Sequence, residues 1–489
     1  LMSFEYGAMR PAGGARGVGR YGGPAPDAVP PRIPRPVPAP RVDSPVIARL
    51  VGGLERADSS PGAAVVDAFW RQGGDAGSPI VEESEHDDEV IATFVWRGVP
   101  HTRTVLALVN KLTDRQDLAR SAMRNVAGTD VWWLAYRLPA DWRGSYQFAA
   151  DTDANADADT ETCSETGTGR EEYLRALSRR SCAADPRNPH RLPQADGLSP
   201  KSVAAMPAAP SPEHLTPGAD VPRGSVDEHE ISDGGGGRRR RVWVYSPHEH
   251  YTPDEHYTPQ ELDAAACDAD RKYPMVLLLD GDMWFETMPI APTLDSLIAR
   301  GVIEPTVVVG VDAGDRATRS REMTCHEPFV RFILDDLVPW VQARWPVTSD
   351  PQATIVAGQS LGGLAAAYLG YRAPHRFGAV LVQSASFWWR GGRDDAAADD
   401  ERMTRLFREA SHLPLRWYVE VGRDEWVNLP STRGFVRVLG DRGYRLDYRE
   451  FSGGHDRACW RVGIADGLMS LIGREPIQRE QFRRELNSG

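Results

Sequence analysis

One segment constrains the fold of this chain more than any other. An apolar run at residues 354–357 leads into Gly358-Gln359-Ser360-Leu361-Gly362 and then into an Ala-rich stretch. Glycines on both sides of a serine permit the sharp strand-to-helix turn that lifts a serine hydroxyl out of a sheet. The segment therefore predicts a nucleophile elbow with Ser360 as the nucleophile. The alternative is a tight turn with an inert serine.

The surrounding sequence alternates between buried-strand and helix patterns. The predicted strands lie at 241–245, 275–280, 305–311 and 354–357, and the predicted helices at 293–300, 329–344 and 361–369. Continuous apolar strands that alternate with helices are typical of a mostly parallel sheet covered on both faces. We therefore predict an α/β-hydrolase domain over residues 238–475.

The N-terminal part of the chain has a different texture. Short alternating runs separated by Gly, Asp and Pro predict an all-β sandwich domain over residues 61–150. Gly, Pro, Ala and Arg dominate residues 1–60, which we expect to be a disordered arm. Residues 151–237 begin with an acidic segment and end in a glycine run, and we expect an insertion and linker there. Residues 476–489 are expected to be a tail.

A serine hydroxyl becomes a good nucleophile only when a base accepts its proton, and in this fold the histidine follows a late strand. His455 meets that condition, because it follows the predicted strand 448–451 and precedes the last helix. His375 and His412 lie in polar stretches beside helices, where we expect solvated side chains. A structural role for His455 is the alternative.

The acid that orients the imidazole should follow the strand between the serine and the histidine. The run 417–421 is that strand, and it leads into Gly422, Arg423, Asp424 and Glu425. Asp424 and Glu425 are both candidates, and this pattern does not separate them.

An oxyanion hole needs two backbone donors, one of which belongs to the residue after the nucleophile. That residue is Leu361. The second donor should come from the loop after an earlier strand, and residues 280–284 fit best. We predict that the N–H of Asp282 supplies it, whereas the alternative for Asp280-Gly281 is an ordinary turn.

Five motifs in this order resemble one known family, the enterochelin (enterobactin) esterases, which are similar to the esterase D branch of the α/β-hydrolases. The motifs are LLLDGDMWFETMP at the predicted oxyanion loop, RSREMTC at 319–325, VAGQSLGGLAA at the elbow, SASFWW at 384–389 and GGHDRACWR at 453–461. Residues 131–148 also resemble the N-terminal β-sandwich of that family. The resemblance covers most of residues 65–150 and 240–475.

The resemblance implies a function. Members of this family hydrolyse the trilactone of iron-loaded catecholate siderophores in the cytoplasm, so that iron can be released. The expected partner is therefore a ferric catecholate siderophore, and no cofactor is implied because the iron arrives with the substrate. The family pattern also keeps a Gly-x-x-Glu spacing that matches Gly422 and Glu425, which favours Glu425 over Asp424 as the acid.

Such a substrate is a bulky trianion that needs aromatic faces and cations. The candidate substrate-binding residues near the motifs are Trp284, Arg319, Trp388, Trp389 and Arg390. The alternative is that the tryptophans belong to the core and the arginines are solvated.

The composition of the chain argues against several other classes of partner and site. The net charge of −12 gives no reason to expect nucleic acid or an anionic membrane surface as a partner. Five scattered cysteines and the absence of an apolar leader favour the reducing cytoplasm. The histidines of the repeated His-x-Tyr-Thr-Pro stretch at 248–259 could bind a metal, but we expect a solvated loop and no metal site. Oligomeric state is not predictable from these features.

Two rival functions remain open at this stage. An acyltransferase or thioesterase of a siderophore or peptide-synthetase pathway would use the same triad with a nucleophile other than water. A siderophore-binding protein without turnover would use the β-sandwich and the loops that carry the tryptophans and arginines. The complete set of Ser360, His455 and Glu425 argues against the second rival.

Overall fold

The computed structural model describes residues 30–31, 39–56, 62–75, 78–152, 168–180, 182–194, 198–234, 237–248, 272–391 and 401–474. The acidic segment 153–167, the histidine-containing segment 249–259, the tail 476–489 and most of the N-terminal arm lie outside these residues. The chain divides into two compact units. The N-terminal unit comprises residues 34–210 and 451–459, and the C-terminal unit includes residues 211–450 and 460–489.

The N-terminal unit contains two antiparallel sheets. Its strands are β1 (Ile80–Glu83), β2 (Glu89–Arg97), β3 (Thr104–Val109), β4 (Arg124–Asn125), β5 (Val131–Pro139), β6 (Arg143–Asp151), β7 (Cys182–Ala183), β8 (Arg191–Leu192) and β9 (Lys201–Ala205). One sheet has the order β1-β2-β5-β4, and the other has the order β3-β6-β9-β8 with β7 on β6.

The two sheets of this unit share one hydrophobic core. Phe94 of β2 and Tyr136 of β5 belong to the same buried cluster as Tyr146 and Phe148 of β6. The rings of Phe94 and Tyr146 meet edge to face, with centroids 4.8 Å apart. Two sheets pack in this way when each buries one face against the other. The predicted sandwich is confirmed.

Helices accompany the sandwich, and two domain predictions need correction. The helices are α1 (Pro45–Arg56), α2 (Gly62–Asp75) and α3 (Thr168–Arg180). Ile47 and Leu50 of α1 are buried against Trp133, so the prediction of a disordered arm is wrong for residues 45–56. The prediction of an insertion and linker is wrong for 182–205, because β7, β8 and β9 complete a sheet of the sandwich. The N-terminal domain is therefore longer than predicted.

The C-terminal unit is built on one eight-stranded sheet. Its strands are β10 (Ser225–Ser232), β11 (Arg239–Ser246), β12 (Met275–Leu279), β13 (Val307–Val311), β14 (Thr354–Gln359), β15 (Ala379–Gln383), β16 (Arg416–Gly422) and β17 (Arg445–Phe451). The order is β10-β11-β13-β12-β14-β15-β16-β17. The pairs from β13 to β16 are parallel, whereas β10 and β11 pair antiparallel with their neighbours. The predicted α/β-hydrolase sheet is confirmed, although it begins at β10, before residue 238.

Helices cover this sheet. They are α4 (Ala291–Ala299), α5 (Arg316–Glu322), α6 (Glu327–Arg331), α7 (Val338–Gln342), α8 (Leu361–Arg372), α9 (Arg402–Glu409), α10 (Asn428–Asp441) and α11 (Arg457–Ile472), with a π-helical stretch at Phe332–Leu337 between α6 and α7. Every residue of β12, β13 and β14 is buried, as expected for strands packed on both faces. Within the described ranges, no helix has the length and apolar character needed to cross a membrane.

A buried ion pair joins β11 to α5. The guanidinium of Arg240 donates to both carboxylate oxygens of Glu322 at 2.7 and 2.8 Å, and both side chains are almost completely buried. The guanidinium also lies 4.7 Å from the ring centroid of Phe332. When two opposite charges are buried together, each offsets the desolvation cost of the other. Removal of one therefore leaves the other charge buried and uncompensated.

We therefore predict that Glu322→Gln lowers the free energy of unfolding by about 3 kcal/mol, because Arg240 would keep a buried charge without its counterion. Urea denaturation measures this change. Glu230→Gln is the matched control, since Glu230 pairs with Arg239 at 3.0 Å in an exposed position and should cost less than about 1 kcal/mol. Equal losses in the two variants would contradict the prediction.

Candidate active site

Ser360 is the single residue between the end of β14 and the start of α8. Its backbone has φ 56° and ψ −122°, a conformation that costs a non-glycine residue about 1–3 kcal/mol. The Ser360 N–H donates to the carbonyl of Gln383 at 3.1 Å, and the Ser360 carbonyl accepts from the N–H of Ser386 at 2.9 Å. These bonds hold the strained residue in place, as the predicted elbow requires.

Gly358 is required by the close approach of two backbone segments. A Cβ atom at this position would lie 2.3 Å from the carbonyl oxygen of Gly362, which is far inside van der Waals contact. The turn can therefore close so tightly only with glycine at 358. Ser360 itself is 9 % exposed.

The carboxyl ends of the parallel strands lie at one edge of the sheet, and the candidate residues of this unit meet there. Residues 280–284 follow β12, Ser360 follows β14, Ser384 follows β15, and Glu425 follows β16. This edge is where open α/β sheets place their ligands.

Glu425 is completely buried, and Ser384, Gly422 and Asn428 each donate to its carboxylate. Its Oε1 accepts from the hydroxyl of Ser384 at 2.5 Å and from the N–H of Gly422 at 2.9 Å, while Oε2 accepts from Nδ2 of Asn428 at 2.7 Å. Asp424 is partly exposed. The two neighbouring carboxylates thus occupy different environments, and only Glu425 points into the protein.

The sequence did not identify Ser384 and Asn428 as parts of this site. Ser384 has φ 51°, and its hydroxyl also accepts from the indole N–H of Trp460 at 2.9 Å. Asn428 is the first residue of α10 and stands three residues after Glu425, so the two residues are close along the chain. That spacing was the available signal for Asn428. The bond from Ser384 spans 41 residues, so no local pattern could reveal it.

His455 lies in the segment between β17 and α11, and it is 4 % exposed. Residues 451–459, which contain this segment, belong to the N-terminal unit. The carbonyl oxygen of His455 accepts from Nδ2 of Asn110 at 3.3 Å, and both of these residues belong to that unit. The structure therefore places His455 in a buried, hydrogen-bonded loop.

The predicted oxyanion loop is fixed by an ion pair. Arg319 donates to both carboxylate oxygens of Asp280 at 2.6 and 2.7 Å, and Asp280 has φ 58°. Arg319 was predicted to bind substrate, but its guanidinium is engaged by a residue of the loop. It acts here as a support for residues 280–284.

Asp282, whose N–H is the predicted second oxyanion donor, has a perturbed side chain. Burial, and then the nearby charge of Asp280, raise the pKa of the Asp282 carboxyl to about 6, against the partial effect of the Ala313 N–H that donates to it. Leu361, the first predicted donor, is the first residue of α8. Both donor roles remain predictions.

Trp284 begins a chain of buried hydrogen bonds beneath the elbow. Its indole N–H donates to Oε1 of Gln359 at 2.8 Å, and the Gln359 amide donates to Oε1 of Gln383 at 2.9 Å. Gln383 in turn donates to Glu420 at 2.7 Å, and burial raises the pKa of the Glu420 carboxyl to about 7. Trp284 is 1 % exposed. It therefore supports the elbow from inside and offers almost no surface to a substrate.

The remaining predicted binding residues follow the elbow contacts directly. The N–H of Trp389 donates to the carbonyl of Ser386 at 3.1 Å, and Ser386 is bonded to Ser360. Trp388 is buried, Trp389 is half-buried and Arg390 is exposed. The guanidinium of Arg402 lies 6.0 Å from the ring centroid of Trp389 and adds a cation that the sequence analysis did not single out.

Two family models match the chain. The Esterase model matches residues 238–471, and the model described as "Enterochelin esterase, N-terminal" matches residues 91–215. The second match includes β7, β8 and β9, in agreement with the longer sandwich domain.

Known proteins resemble the chain over most of its length. The iron(III) enterobactin esterase of Dickeya dadantii (strain 3937) is 32% identical over 440 residues, which cover 85% of this chain and 94% of the relative. The ferric enterobactin esterase structure from Salmonella typhimurium has 32% identity and a TM-score of 0.66, covering 83% of this chain and 98% of that chain. The enterobactin esterase structure from Shigella flexneri, solved in the presence of enterobactin, has 30% identity and a TM-score of 0.62, covering 83% and 97%. The chain therefore belongs to the iron(III) enterobactin esterase family and is a carboxylic ester hydrolase.

Proposed function

We propose that this protein is a serine esterase that hydrolyses the lactone esters of a ferric catecholate siderophore such as ferric enterobactin. Ser360 is the nucleophile, His455 the general base and Glu425 the acid that orients the imidazole. The observation that carries the proposal is the strained elbow at Ser360, because such a turn is maintained where it presents a nucleophile.

The environment of Glu425 supports its role over that of Asp424. An ionised carboxylate accepts hydrogen bonds on both oxygens, so Glu425 has the chemistry both to accept an imidazole N–H and to be held by donors of its own unit. Those donors fix the orientation of the carboxylate. Asp424 is only partly buried, so it is the weaker candidate.

The reaction proceeds in two similar halves. Ser360 attacks a lactone carbonyl while His455 takes the hydroxyl proton, and His455 then returns that proton to the leaving seryl oxygen. The N–H groups of Leu361 and Asp282 stabilise the oxyanion, and each such donor is worth about 3 kcal/mol. Water repeats the sequence on the acyl-enzyme and releases the acid.

The names of the relatives support the substrate class. Trp389, Arg390 and Arg402 supply the half-buried aromatic face and the cations that a trianionic ferric complex would need. The iron is cargo of the substrate and takes no part in the ester chemistry. We place this activity in the cytoplasm, where released iron would be used, which agrees with the expectation from the scattered cysteines.

The proposal predicts that purified protein converts ferric enterobactin into linear catecholoyl-serine products, identified by mass spectrometry. Ser360→Ala should reduce the rate at least about a thousandfold, because the nucleophile is lost. Ser320→Ala, in α5, is a matched serine control that should keep the full rate. Cleavage of simple aryl esters without cleavage of the trilactone would refute the siderophore assignment.

The same assay separates the rival functions. Turnover that is slow in water alone and becomes fast only when an amine or alcohol acceptor is added, with the acyl group found on the acceptor, would indicate an acyltransferase. Saturable binding of the ferric siderophore with no product would indicate a binding protein without turnover.

A second prediction concerns the acid. Glu425→Gln should lower kcat/KM by about a thousandfold or more, because the neutral amide cannot stabilise the imidazolium that forms on His455. Asp424→Asn is the matched control, and it should stay within about threefold of the wild type. Steady-state kinetics on a chromogenic ester measure both variants. The reverse ranking would assign the role to Asp424.

A further inference from the structure

The loop that carries His455 is bound to the first residues of strand β6. The N–H of Arg143 donates to the carbonyl of Ser452 at 3.0 Å, and Arg143 also forms a parallel β-bridge with Gly453. In the first turn of α11, which follows the loop, Sγ of Cys459 lies 3.4 Å from the carbonyl oxygen of Arg143. All of these residues belong to the N-terminal unit, so the sandwich fixes the course of this loop.

Asp456, the residue after His455, is anchored to the same strand. Its Oδ2 accepts from the N–H of Ser145 at 2.6 Å, and the carboxylate is 4 % exposed. Its Oδ1 accepts from the N–H of Ala458 at 3.0 Å. A buried carboxylate is tolerated when its oxygens have such donors. The one carboxylate therefore links the loop to β6 and also caps the start of α11.

The turn after β3 also binds the backbone of His455. Nδ2 of Asn110 donates to the His455 carbonyl at 3.3 Å, and the N–H of Asn110 donates to the carbonyl of Ser145 at 2.9 Å. A Cβ atom at Gly454 would lie 2.1 Å from Cγ of Lys111, so only glycine permits this approach. Asn110 and Ser145 thus form one platform under two consecutive loop residues.

We propose that Asn110 and Asp456 are positioning residues for His455, so that the β-sandwich sets the geometry of the general base. This inference rests on the base role proposed for His455. Displacement of a reacting group by about 1 Å can cost about a hundredfold in rate. Asn110 bonds the backbone of His455, and Asp456 bonds the backbone of β6, so we expect their loss to affect the chemical step more than substrate binding.

A purely structural role makes a different prediction. If Asp456 only caps α11, its loss lowers stability and leaves the turnover of the folded protein unchanged. Asp456→Ser separates the two roles, because serine is a good helix cap but has a single oxygen and cannot also reach Ser145. Asn110→Ala removes the second anchor without touching α11.

The experiment measures the acylation burst and the steady-state kcat and KM of the full chain with p-nitrophenyl acetate, below the unfolding temperature of each variant. We expect Asn110→Ala and Asp456→Ser each to lower the acylation rate about tenfold or more, with KM within about twofold of the wild type. Asn125→Ala is the control, since Asn125 lies on an exposed strand of the same unit and should leave both constants unchanged.

The result that overturns the inference is wild-type acylation in both folded variants, even if their unfolding temperatures fall. Should Asp456→Ser fail to fold, Asn110→Ala alone decides in the same way. His455→Ala is measured in parallel. If it retains full activity, the proposed base is wrong. If it is inactive while both anchor variants acylate normally, only the positioning role is lost.

Discussion

The backbone of Ser360 is the constraint on which the rest of the C-terminal unit depends. Its φ of 56° is unfavourable for a serine and persists only because its neighbours fix it. Gln383 and Ser386 bond the two ends of Ser360, and Ser384, which lies between them, donates to Glu425. One short segment at the end of β15, residues 383–386, therefore holds both the proposed nucleophile and the proposed acid, so their geometries are coupled.

Long apolar or alternating segments made much of the fold predictable. Strands β12, β13 and β14 are uninterrupted buried runs, and turn residues separate the short apolar strands of the sandwich. The errors fell where the local signal is weak. Helix α1 was hidden because Pro and Gly dominate the composition of residues 1–60 as a whole, although Ile47 and Leu50 form an apolar face. Strand β10 is mostly exposed and charged, so it resembles a linker in sequence and becomes a strand only by pairing with β11.

The sequence predicted only those site residues whose role follows from their order along the chain. A strand before a glycine-flanked serine, and a late histidine, are local features that indicated Ser360 and His455. Which of two adjacent carboxylates points inward depends on contacts distant in sequence, so the residues alone left Asp424 and Glu425 open. The ion pair of Arg319 with Asp280 links residues 39 apart in the chain and was not predictable from a local pattern, whereas the contact of Arg319 with substrate stays a prediction.

The central claim is that Ser360 is the nucleophile of the esterase reaction. The most direct test is labelling with an aryl fluorophosphonate, followed by peptide mass spectrometry and measurement of the remaining ferric enterobactin hydrolysis. We expect one label per chain, on Ser360, and a loss of hydrolysis in proportion to the labelling. The siderophore should protect Ser360 from the label. Complete labelling of Ser360 with undiminished hydrolysis would contradict it.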